Sequence, residues 1–289
     1  MKERSLVAFT LLSQIAVGAL WTLQALHCWA NRQVGMAEAS IPTERGLWVV
    51  VLTMMLGMLA SAYHLGTPYK AWRVFTNLRS SWLSREILFA VLFASASTIF
   101  AILHWLNLGS ARTVDVLGWG AALLGLSLIT SMSRAYRLRT VPAWNTQATS
   151  ASFFTTTLLL GGLVVGVLLA LNPETPSELQ RSWLQGIGLG AIVLIGMELA
   201  VTGLWVTGLA ATPGTASRAA ARITQRHPSV FRLRFVLAAM GMVAAGASMA
   251  PCGKGATAGT TISLAFVLVL ASEVLDRLLF YEARVRYGL

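Results

Sequence analysis

The stretch from His64 to Glu86, HLGTPYKAWRVFTNLRSSWLSRE, gathers residue types that move protons at the edge of an apolar run. His64 ends that run. An imidazole changes charge near neutral pH, so a histidine where a span meets water can take the proton of a hydroxyl group delivered from the membrane. Tyr63 precedes it, Gly66 frees the backbone, and Pro68 fixes the turn that follows. Arg85 and Glu86 stand as a pair where the next apolar run begins. Plainer readings exist for each. His64 can be an interfacial histidine bonded to a neighbouring carbonyl, and Glu86 an acidic residue drawn to a helix start by the backbone dipole.

Positioning these groups falls to membrane helices. The protein has 289 residues, of which 56% are hydrophobic and 11% charged, too few charges to cover a soluble domain. Apolar runs long enough for a hydrocarbon core of ~30 Å predict eight spans, at about 5–29, 46–66, 84–106, 113–132, 150–172, 183–211, 231–250 and 258–280. The expected fold is an all-α bundle of eight transmembrane helices forming a single polytopic membrane domain, with both termini on one side. The formal net charge of +11 would suggest nucleic acid for a soluble protein, but its placement argues otherwise. Lys2 and Arg4, Lys70 to Arg85, Arg134 to Arg139, Arg218 to Arg234 and Arg277 to Arg286 fall on one side. Arg32, Arg45, Arg112, Arg181 and Lys254 fall on the other. By the positive-inside pattern, the termini and the second, fourth and sixth loops are cytoplasmic. The expected location is the bacterial cytoplasmic (inner) membrane.

Within the spans, Glu198 is the costliest residue to insert. An ionised carboxylate at that depth costs about 3 kcal/mol or more, so it serves either a proton relay or a structural hydrogen bond. Glu273 and Arg277 are four apart on one helix face and can pair; with Asp276 they approach the His64 side. The many glycines of spans five and six predict close helix packing, and the basic sixth loop a solvated or lipid-facing stretch. His27 and His104, at the outer ends of their spans, could hold one haem between them. With His64 and His227 at the other face, however, the multi-haem pattern of a cytochrome b cannot be built. Cys28 and Cys252 are read as free, and without Cys-x-x-Cys this protein cannot hold an iron–sulfur cluster alone. The glycines of 186–190 lie inside an apolar helix and make no dinucleotide site.

HLGTPYKAW and SWLSREI in the second loop, YRLRTVPAWNT after span four, FFTTTLLLGG opening span five and SEVLDRLLFY in span eight together resemble the DmsC family. This is the membrane anchor subunit of dimethyl sulfoxide reductase-type complexes. The resemblance covers most of the length. It implies an anchor that oxidises menaquinol and holds an iron–sulfur subunit and a molybdopterin catalytic subunit to the membrane. The family's quinol-site histidine falls on His64, with Tyr63, Gly66, Pro68, Arg85, Glu86 and Glu273 as further quinol-binding candidates. Quinol oxidation needs a proton acceptor, which His64 supplies, and an electron acceptor, which this chain lacks. The acceptor must belong to a partner. The basic-aromatic residues Lys70, Trp72, Arg73, Arg79, Arg137, Arg139 and Trp144 suit its docking. No haem, metal or iron–sulfur cluster is expected in this chain, which alone is not a complete oxidoreductase. The alternatives are a haem-bearing cytochrome b-like subunit on His27 and His104, and a proton-coupled transporter of small solutes built around Glu198.

Overall fold

The computed structural model describes residues 2–30, 42–63, 76–172, 175, 177–250 and 255–285. Among the described residues it is all helical: α1 Lys2–Ala30, α2 Thr43–Tyr63, α3 Trp82–Trp105, α4 Ala111–Tyr136, α5 Gln147–Ala170, α6 Ser177–Ala211, α7 Thr215–Ala221, α8 Pro228–Ala247 and α9 Gly255–Glu282. All but α7 are long and apolar enough to cross a membrane, so eight spans form a helical membrane bundle, as composition and hydropathy predict.

The helix starts are written locally. Ser81, Ser110 and Thr146 lie in extended backbone and each accepts a bond from the amide three residues on, opening α3, α4 and α5. Pro228 opens α8, its fixed φ suited to a first helical position. Gly214, with φ of +94°, makes the turn into α7 that a side chain would resist.

Packing divides the helices into two groups of four. In one, α1 packs on α2 and α4, and α3 on α2 and α4; in the other, α5 packs on α6 and α9, and α8 on α6 and α9. The seam is the crossing of α1 and α5. A Cβ on Gly18 would overlap the Thr157 carbonyl oxygen, and one on Gly161 would overlap the backbone of Gly18. The two backbones therefore touch, which only glycine allows.

The other glycines divide. Gly166 meets Ile262 and Ile187, and Gly188 meets Met249. A Cβ on Gly186, Gly190, Gly196, Gly203 or Gly208 would find nothing within 4 Å among the described residues. Close packing, expected for all, holds for the first set only, because the 35-residue α6 has one packed face and these glycines lie off it. The sixth loop also departs from the solvated stretch expected. Its α7 and the single π-helical turn Arg222–Arg226 bury Ala216, Ala219, Ala220 and Ile223 in the core, while Arg218, Arg222 and Arg226 stay exposed.

Helices alternate in direction, so α1, α3, α5 and α8 begin at the end where α2, α4, α6 and α9 stop. Exposed Arg79, Arg134, Arg139, Arg218, Arg222, Arg226, Arg232 and Arg284 mark this as the basic end.

Candidate functional site

The polar interior lies in the half of the bundle toward the basic end. Tyr63 is the last residue of α2. His64 follows it in sequence and, with Gly66, Pro68, Lys70, Trp72 and Arg73, lies outside the described residues. The next described helix, α3, opens at the same end, and Glu86, past its first turn, points into the bundle with 3% exposure. Arg85 is about 100° around the helix and turns outward. Its Nε donates to the Leu78 carbonyl at 2.8 Å and its Nη2 to the Arg79 carbonyl at 2.9 Å, while the guanidinium lies 4.3 Å over the Trp82 ring. The two neighbouring candidates are thus separated, since adjacent helix positions face different ways. The helix-dipole reading of Glu86 also fails, because the carboxyl lies beyond the first turn and faces the core.

Among the described residues no cation pairs with Glu86 and no side chain donates to it. Within electrostatic reach are Tyr136 and Tyr281, whose hydroxyls bond each other at 2.7 Å. These two rings belong to an aromatic nest with Trp144, Phe153 and Phe280. Trp144 donates from Nε1 to the Phe280 carbonyl at 2.7 Å and stacks on the Phe280 ring at 5.2 Å. Proposed from sequence as a docking residue, Trp144 is 6% exposed and faces inward, because its indole finds both a partner carbonyl and a stacking ring on α9. Arg79 and Arg139 are exposed, and half-buried Arg137 donates to Gln147 Oε1 at 3.3 Å.

A second polar group fills the interior of the α5, α6, α8 and α9 half. Arg234 is 1% exposed; its Nη1 donates to Asp276 at 2.9 Å and to Thr202 Oγ1 at 2.7 Å, and its Nη2 lies 3.5 Å from Glu198. Ser152 donates to Glu198 Oε1 at 2.7 Å. Glu273 does not meet Arg277 directly. Thr156 stands between them, donating to Glu273 Oε2 at 2.7 Å and accepting from Arg277 Nη2 at 3.2 Å. Arg277 also donates to Gln14 at 3.3 Å and lies 4.0 Å over the Phe153 ring. Glu198, Glu273 and Asp276 bring one carboxyl oxygen each to within 4.8 Å of the others, a donor set that could suit a cation. The Arg234 guanidinium holds the cation's position instead.

Sequence reasoning singled out Glu198, Glu273 and Glu86 but placed Arg234 in the basic loop. A signal existed: Pro228 opens a helix, and Arg234 falls six residues inside it, on the face opposite exposed Arg232. Nothing in the sequence marked Ser152, Thr156 and Gln14 as the partners of charged groups. At the other end of the bundle, His27 Nε2 is engaged by Thr43 Oγ1 at 2.7 Å, tying α1 to α2. That bond would have to break for His27 to ligate a haem through Nε2. Cys28 is an exposed thiol, and Cys252 lies outside the described residues.

Comparison with known proteins agrees with this architecture. The family model for the DMSO reductase anchor subunit (DmsC) matches residues 1–283. The anaerobic dimethyl sulfoxide reductase protein YnfH of Escherichia coli (strain K12) is 28% identical over 300 residues, spanning 99% of this chain and 96% of that one. The C subunit of the same organism's anaerobic dimethyl sulfoxide reductase is 29% identical over 297 residues, with the same shares of each covered. Its counterpart from Haemophilus influenzae (strain ATCC 51907 / DSM 11121 / KW20 / Rd) is 31% identical over 198 residues, 67% of this chain and 69% of that one. With eight apolar helices and a match over nearly its whole length, the chain is a multi-pass protein of the bacterial inner membrane and belongs to the DMSO reductase anchor subunit family.

Proposed function

We propose that this anchor binds and oxidises menaquinol at its basic end, with His64 and Glu86 as the groups that meet the quinol hydroxyls, and delivers the electrons to an iron–sulfur subunit. From there they reach a molybdopterin-containing reductase in anaerobic respiration. The observation that carries the reading is Glu86. A buried carboxyl that no described residue bonds, on the helix that opens at the end where the backbone runs on from Tyr63 to His64, is a hydrogen-bond acceptor left for a ligand.

The chemistry balances with a partner's help. Oxidation of the quinol releases both hydroxyl protons and an electron pair and leaves the quinone. His64 takes one proton as a general base and the Glu86 carboxylate takes the other. Tyr136 and Tyr281 back the site, and the aromatic nest behind them keeps bulk water out. The electrons leave to an iron–sulfur cluster of the partner, since two cysteines without a cluster motif cannot supply one here. Exposed Arg79 and Arg139 make the basic end the docking face, to which the sequence adds Lys70, Trp72 and Arg73, while inward-facing Trp144 supports it from within.

The test is His64→Arg and Glu86→Gln in the native membrane, comparing reduction driven by a menaquinol analogue with reduction driven by a soluble artificial donor. Quinol-driven turnover is expected to fall about a hundredfold or more, with donor-driven turnover kept and the complex assembled on native gels. Unchanged quinol-driven rates in both variants would sink the assignment.

A further inference from the structure

The cluster of Glu198, Glu273 and Asp276 around Arg234 plays no part in the quinol chemistry above. All four residues are more than nine-tenths buried. Three carboxyls face two guanidiniums, those of Arg234 and Arg277, so full ionisation leaves one negative charge uncompensated among apolar helices. A single proton shared by the three carboxyls makes the cluster neutral. Tyr136 and Tyr281 lie within electrostatic reach of Arg277, and the neutral partners are Gln14 from α1, Ser152 and Thr156 from α5, and Thr202 from α6 beside its Glu198.

Two features indicate where that proton sits and how it comes and goes. Glu198 Oε2 has no hydrogen-bond partner, nor has Arg234 Nε. Both residues line a cavity of ≈ 10 Å³ with Ser272 and Glu273, room for about one water. On the other side of Arg234 a cavity of ≈ 20 Å³ touches Asp276, Arg277, Thr202 and Ser152. It shares Ala148, Val201 and Trp205 with a cleft of ≈ 520 Å³ between α5 and α6 that reaches Pro142, Thr146 and Thr212 at the basic end. The cleft is mostly apolar, with Thr146, Gln147 and Thr212 toward the basic end, and it leads stepwise to the polar inner cavity that touches Asp276.

We propose that this cluster is a proton-exchange site, loaded and unloaded through the α5–α6 cleft by water from the basic end. In the exchange, a hydronium ion in the cleft gives its proton to a carboxylate oxygen of the cluster and becomes water; the reverse step breaks that O–H bond. The guanidiniums stay charged throughout and hold the other two carboxylates in place. The inference does not depend on the quinol reading.

Infrared spectroscopy of the full-length protein in lipid nanodiscs tests it. The expected result is a protonated-carboxyl stretching band that shifts on transfer to D2O and is missing from Glu198→Gln, with Glu86→Gln identifying any band of the other buried carboxyl. Ala148→Phe, which fills the junction between cleft and inner cavity and leaves the cluster untouched, should slow that shift at least tenfold. A cluster band that fails to exchange in D2O overturns the proposal, and so does exchange in Ala148→Phe at the parent rate. Should Glu198→Gln not accumulate, the Ala148→Phe comparison decides alone.

Discussion

The two halves of the bundle bury charge in opposite ways. In the α1–α4 half the core is Leu20, Met54, Phe93 and Leu128, with Glu86 as its one buried charged residue among those described. In the α5–α9 half, Glu198, Glu273 and Asp276 are set against Arg234 and Arg277, with Thr156, Thr202 and Ser152 adding hydrogen bonds and Glu198 Oε2 and the two guanidinium Nε atoms left without one. A compensated network holds helices together, because removing any member leaves another charge unpaired in a medium that solvates it poorly. A lone carboxyl does the reverse: it costs stability in the free protein and gains a partner only when a ligand arrives. The half that wastes stability is therefore the one to search for a substrate, and the half that satisfies every charge but one is the one to search for a proton.

Substitutions can break this contrast. The largest effect belongs to Arg234→Leu, which leaves Asp276 and Glu198 buried without their cation and is expected to cost about 3–5 kcal/mol. The protein should then vanish from membranes in immunoblots, whereas a variant that accumulates and melts like the parent refutes a stabilising network. At the seam, Gly18→Ala forces α1 off Thr157 and should cost about 1–3 kcal/mol, read as a lowered melting temperature in detergent. Gly190→Ala, where a Cβ meets open space, should be neutral or gain up to about 1 kcal/mol.

Smaller effects sharpen it. Thr156→Val keeps the shape but removes the hydroxyl between Glu273 and Arg277, for a loss of about 1–2 kcal/mol by thermal unfolding. Glu86→Gln is also small in stability, expected within about 1 kcal/mol of the parent or above it. A large destabilisation there would show that Glu86 is a packing element rather than a group left for a ligand.

Several of these features were legible in the sequence and others were not. Glu198 stood out because a carboxyl in an apolar run is anomalous at the level of single residues. Its partner did not, because Arg234 sits in a run of arginines whose other members are exposed, and only the phase of α8 turns this one inward. Glu86 was singled out together with its neighbour Arg85, but that the two face about 100° apart, one into the bundle and one outward, follows from helix geometry. Trp144 looked like a docking residue for its place in a basic-aromatic loop, and α9 claimed it through the Phe280 carbonyl.

By itself the sequence determined the class, the number of long apolar helices and the family. Transfer of a segment into lipid is close to a sum over its own residues, and helix starts depend on a few neighbours along the backbone. Only the tertiary structure decided which charges are compensated. The pairing of Arg234 with Glu198 and Asp276 and the Thr156 bridge join residues from different helices. Their energies depend on distance and on the polarity of the surroundings, two quantities that exist only once the helices have packed.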